Sequence, residues 1–155
     1  MRRIYAGLAW IIAGGVVVQA AAIAFACGGV LNHVSGGGVV DKALLESGQG
    51  GGTGELGFWI HGIGGGVVLP LLAVLMLLVS FFVRAKGARL WASIVLGLIV
   101  LQVVLGFSIT DMPYLGLIHG ANALAVLLTA IIAALRVGRS PSAIVEEASS
   151  DAVAA

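Results

Sequence analysis

Charge is what this sequence has least of. Eight basic and seven acidic residues are spread over 155 positions, while 60% of the chain is hydrophobic. A domain in water needs a polar surface, and this supply is too small to make one. No nucleic-acid partner is expected of it. The single cysteine, Cys27, excludes an internal disulfide. The long apolar runs carry no acidic or basic side chain except near their ends, which argues against a transporter.

What is there is apolar length. Four runs, at roughly 4–27, 57–83, 89–109 and 114–136, each reach the ~20 residues that cross a bilayer as a helix. The fold class expected is therefore an all-α membrane protein, a four-helix transmembrane bundle. Arg2 and Arg3 precede the first run, Arg84, Lys86 and Arg89 lie between the second and third, and Arg136 and Arg139 follow the fourth. The other two connections hold one basic residue, Lys42, among Asp41, Glu46, Glu55 and Asp111. Basic flanks stay inside, so both termini are expected in the cytoplasm of a bacterial cell, with the chain in its cytoplasmic membrane. Aromatic residues suit the two interfaces: Tyr5, Trp10, Phe81, Phe82 and Trp91 inside, Phe58, Trp59 and Tyr114 outside.

The segment 28–56 is expected as an outer glycine-rich loop with a short helix over 39–46, and 137–155 as a disordered cytoplasmic tail. The start of the chain also has the outline of a lipoprotein signal ending at Cys27. Its apolar run is long for that role and Phe25 fits the cleavage site badly, so Cys27 is read as a small residue at a helix end. Asp111 and Pro113 suit the opening of the fourth span, as Thr53 and Glu55 suit the second. Pro70, inside the second span, cannot donate to the carbonyl of Gly66 and is expected to bend the helix.

A short repeat crosses this plan. Ile60-His61-Gly62 opens the second span as Ile118-His119-Gly120 opens the fourth, and Gln19 and Gln102 lie toward the outer ends of the first and third. The bundle thus reads as two parallel helical-hairpin repeats, N-in and C-in, each pairing a Gln helix with a His helix.

Histidine is costly in hydrocarbon and there usually faces the interior with a function. Both rings are expected ~6 Å below the outer boundary, level with each other, able to clamp one metal centre. Haem iron suits neutral imidazole ligands in a four-helix core. A bare ion would want more ligands than these spans offer. The first turns of a helix disfavour imidazolium, which keeps the rings neutral. Gly64 and Gly65 after His61, and Asn122 and Ala123 after His119, are small residues at same-face offsets that leave room for a porphyrin. Gln19 and Gln102 are candidate partners for the other ring nitrogens or the porphyrin edge, or simple interhelical bonds. Gly62 and Gly66 also fit a helix-contact pattern that needs no cofactor. His33 reads as a solvated loop residue, and haem propionates would fall to Lys42, loop amides, Asn32, Ser108 or Thr110.

The stretch from Leu101 to Thr110, with Gln102 and Leu105-Gly106, and that from Leu117 to Leu124, with His119, resemble a half-unit of the haem A synthase family. The resemblance implies a bundle with ligating histidines on its second and fourth helices, the positions of His61 and His119, and Gln102 as the third-helix glutamine. The chain is also similar to small four-helix membrane proteins of high-GC bacteria with a histidine on the same two spans. It departs from haem A synthase in having four helices instead of eight, no loop cysteine pair, and only Glu55 as an acidic residue near the outer start of helix two.

The expected function is an integral membrane protein binding one b-type haem per chain through His61 and His119, in electron transfer or as an accessory to a membrane redox system, with a homodimer or larger complex as partner. Two rivals stay open: a cofactor-free subunit packing through small-residue faces, and a haem-modifying enzyme working as a dimer of halves.

Overall fold

The computed structural model describes residues 1–46 and 52–138, all helices and connections with no strand among them. The helices are α1 (Arg2–Ser35), α2 (Lys42–Glu46), α3 (Glu55–Ile63), α4 (Leu69–Ser80), α5 (Ala88–Ser108) and α6 (Leu115–Gly138), with a π-helical turn over Gly64–Val68 joining α3 to α4. Four continuous helical stretches are long and apolar enough to cross a membrane: Arg2–Ser35, Glu55–Ser80, Ala88–Ser108 and Leu115–Val137. Only 17% to 33% of each apolar window is buried inside the bundle, so most of the remainder is a surface suited to lipid rather than water.

The spans stand in a ring. α1 packs on α6, α6 on α5, α5 on α4, and α3 with α4 closes the circle on α1. The close-packed core fills the half of the bundle that carries the basic residues, where Tyr5, Ile12, Met76, Val95, Val126 and Val137 are fully enclosed. Alanines at every level of this core (Ala9, Ala73, Ala92, Ala130) let the backbones approach, as interhelical packing in lipid requires.

The basic end is tied together through polar contacts. Gly87, at φ 81, takes the left-handed conformation that turns the chain into α5. The Arg2 guanidinium donates to Arg84 O at 2.8 Å, Arg89 lies over Phe81, and Arg136 lies over Trp91, each 5.1 Å from the ring centre. Tyr5 is not an interface aromatic: it is fully buried, and its hydroxyl donates to Ala88 O at 2.9 Å because the start of α5 leaves that carbonyl within reach. Tyr5→Phe should cost about 1 kcal/mol, the usual net value of one such bond. Thermal unfolding of the detergent-solubilised variant would show it as a small drop in midpoint.

Several boundaries differ from the sequence expectation. α1 runs to Ser35, so residues 28–35 are helical instead of opening the loop, and Cys27 is an exposed residue within the helix, not at its end. Helix continues through Gly28-Gly29 because Gly29 lies against the backbone of Gly54, a contact that holds the two segments together and that any side chain would block. The surface helix is shorter than expected, Lys42–Glu46, with Asp41 Oδ1 accepting from Leu44 N–H at 2.8 Å as a cap. α6 begins at Leu115, two residues after Pro113. The tail expected over 137–155 lies, from residue 139, outside the described residues.

Candidate functional site

The two histidines meet. His61 on α3 and His119 on α6 reach toward each other from non-adjacent helices, with ring centres 6.1 Å apart and planes at 57°. Each ring makes one hydrogen bond among the described residues, and the two bonds match. His61 Nδ1 lies 3.1 Å from Gln19 O, and His119 Nδ1 lies 3.1 Å from Gln102 O. A carbonyl can only accept, so Nδ1 carries a proton in both rings, and in the neutral form of each ring the lone pair lies on Nε2. This is how a ligating imidazole is ordinarily held: one nitrogen fixed by a carbonyl, the other left for a metal.

Gln19 and Gln102 partner the rings, but through main-chain atoms, and their side chains make the interhelical bonds that were the other expectation. Gln19 Nε2 donates to Ile60 O at 3.2 Å, and Gln102 Oε1 accepts from Asn122 Nδ2 at 2.7 Å. Asn122, buried, also donates to Leu98 O at 2.9 Å, joining α6 to α5 just below the ring of His119. Gln19 Oε1 is buried and has no hydrogen-bond partner among the described residues.

The small residues serve different ends from those expected. A side chain at Gly64 would collide with Gln19 Nε2, and one at Gly65 would press on Gln19 Oε1, so these glycines make room for the amide of Gln19. Ala123 packs against the core beneath the rings. Gly62 and Gly66 touch nothing within the chain, so they do not make the helix contact their spacing suggested. That contact falls to Gly54 and Gly57, which lie against the backbone of α1 at Ala22, Ala26 and Gly29. Gly106, not singled out as a site residue, lets the ring of His119 lie against α5, since a Cβ there would be 3.2 Å from His119 Cε1. Its position four residues after Gln102, on the same helix face, was the available signal.

Around the rings the bundle is less closely filled than at the basic end. The core ends at Val16, Leu69, Ile99 and Val126, and above that level α3 packs chiefly on α1, with no comparable packing on α5 or α6. His33 ends α1 against Gly38, fourteen residues beyond Gln19 and thus ~21 Å along the helix from the paired rings. Among the described residues no group of three or more His, Cys, Asp or Glu is placed to hold a metal ion.

Two metal–nitrogen bonds of about 2 Å, drawn in line to facing imidazoles, set the ring centres about 6 Å apart. The observed 6.1 Å matches that separation, and two imidazoles each with Nδ1 bonded to a carbonyl are a donor set that fits haem iron. Compared with protein-family models, with curated proteins and with solved structures, the chain gives no match.

Proposed function

We propose that the chain is a multi-pass protein of a bacterial cytoplasmic membrane, termini inward, that holds one b-type haem between His61 and His119 near the outer face. The observation that carries this reading is the pair of imidazoles 6.1 Å apart, both with Nδ1 engaged by a carbonyl and Nε2 left as the ligating atom. The identical hydrogen bond in each half also supports two helical-hairpin repeats, Gln19 with His61 and Gln102 with His119. The basic residues gathered at the opposite end of the bundle support the inward termini.

A bound haem supplies one-electron redox chemistry. His61 and His119 would hold it through Nε2, and the carbonyls of Gln19 and Gln102 would orient the rings and strengthen them as donors. Ligation by both imidazoles would suit electron transfer rather than oxygen chemistry. The role proposed is electron carrier or accessory in a membrane redox system, alone, as a homodimer, or within a larger complex.

The test is the reduced-minus-oxidised absorption spectrum of protein purified from haem-supplied cells. The expected result is a Soret band with the sharp visible bands of a low-spin b-type haem, at one haem per chain. A colourless protein that co-purifies with a membrane complex would overturn the reading in favour of a cofactor-free subunit, whose packing face would be the outward glycines Gly62 and Gly66. A second haem bound beyond the one per chain, together with loss of haem modification in Glu55→Gln, would favour the haem-modifying enzyme.

A further inference from the structure

We infer that the π turn at Gly64–Val68 adds the one residue needed to rotate His61 into the bundle, and that Pro70 is the positioning residue that sites this turn. The inference deepens the haem reading by explaining how its first ligand is aimed, but it stands on the facing rings and not on the haem.

The inward rows of the helices show the correction. On α6 the row His119, Asn122, Val126, Ala130, Ala133, Val137 advances by three or four residues throughout. On α5 Ala88, Ala92, Val95, Ile99, Gln102 and Gly106 do the same. On α1 the row that meets the second span is Ile12, Gly15, Gln19, Ala22, Ala26 and Gly29, again regular. The second span alone breaks step. Gly54, Gly57, His61 and Gly64 face α1 in regular spacing, and Leu69, Ala73, Met76 and Ser80 are buried in regular spacing, but Gly64 to Leu69 is a step of five. The backbone makes the same step, with Leu69 N–H donating to Gly64 O in an i→i+5 bond.

In an unbroken α-helix fixed by Leu69 and Ala73, the inward residue at the upper level would be Gly62. His61 would then be turned aside by about 100°, the rotation of one residue. The π turn absorbs that rotation. Its site follows from the sequence: Pro70 has no amide to give Gly66 O and its ring would press on that carbonyl, so the α pattern is weakest there. Gly64, Gly65 and Gly66 offer no side chains to crowd a wider turn. π turns of this kind commonly sit beside functional residues.

The consequence is unusual for a transmembrane helix, because deleting one residue here should leave both faces in phase. Deletion of Gly66 combined with Pro70→Ala makes the second span a plain α-helix with His61 and Ala73 on one face. Deletion of Leu124, an exposed residue of α6, instead turns His119 away from the row of Val126. Each deletion is made in a Cys27→Ala background carrying His61→Cys and His119→Cys, and bridging of the two cysteines by a short bis-maleimide is measured in membranes. Bridging should stay within about twofold of the undeleted protein for the Gly66 deletion, and fall roughly tenfold for the Leu124 deletion, given the ~100° rotation.

The inference is overturned if the Gly66 deletion loses bridging as the Leu124 deletion does, or fails to accumulate in the membrane where Pro70→Ala alone accumulates. The same deletions with both histidines kept separate the two readings. Retained bridging with no haem spectrum in any form, the parent included, would remove the haem and leave the rotation intact.

Discussion

His61→Ala and His119→Ala should each abolish most haem binding, lowering the Soret absorbance per chain by roughly tenfold or more, while the protein stays helical and monodisperse in detergent. The loss is large because the site offers two ligands and no reserve: no third His, Cys or carboxylate among the described residues can take the vacated position. The fold survives because each imidazole contributes only one hydrogen bond to it, worth about 1 kcal/mol net. Within each half the helices are also joined by Gln19 to Ile60 or by Asn122 to Leu98 and Gln102, bonds that neither substitution removes. His33→Ala is the matched control, since it removes a histidine ~21 Å along α1 from the rings and should leave the spectrum unchanged. Absorption spectra of the three variants, purified side by side, decide the matter. Unaltered spectra in both His61→Ala and His119→Ala would end the case for bis-histidine ligation.

The four helices long and apolar enough to cross a membrane were legible in the sequence because the bilayer imposes a single constraint, some twenty apolar residues in a row, that composition alone can meet. The level of the histidines was legible for a related reason, since helical rise converts position along a span into depth. Facing direction was harder. Regular α spacing counted back from Ala73 turns His61 aside, and only the π turn before Pro70 restores it. A proline in a span announces a disturbed hydrogen bond but not whether the helix bends or widens, and here the glycines before it allow the wider turn. The hydrogen-bond partners of the rings escaped too, because sequence displays side chains while the acceptors are the main-chain carbonyls of Gln19 and Gln102. Glycine was misread for the same reason. Gly62 and Gly66 have the familiar helix-contact spacing yet face open space, whereas Gly54 and Gly57, three apart across a helix start, carry the contact.

That contact sets the second large effect, Gly57→Leu. A Cβ at position 57 would collide with Ala22 O and lie 2.8 Å from Ala26 N. Both are backbone atoms of α1, so no rotamer change relieves the clash and the helices must separate. Overpacking of cores costs about 1–3 kcal/mol where side chains can shift, and a backbone-limited contact belongs at or above the top of that range. α3 packs chiefly on α1 and lacks comparable contact with α5 or α6, its other hold being its continuation through the π turn into α4. Moving α3 away also breaks the bond from His61 Nδ1–H to Gln19 O and withdraws the ring from His119. Gly57→Leu should therefore lower the thermal midpoint of the solubilised protein and remove haem as fully as His61→Ala, although residue 57 touches neither ring. Gly62→Leu adds the same bulk one turn further on, where nothing lies within 4 Å, and should behave as the parent does. A Gly57→Leu protein that kept both its midpoint and its spectrum would mean that α3 is held to the bundle by something other than its glycine contact with α1.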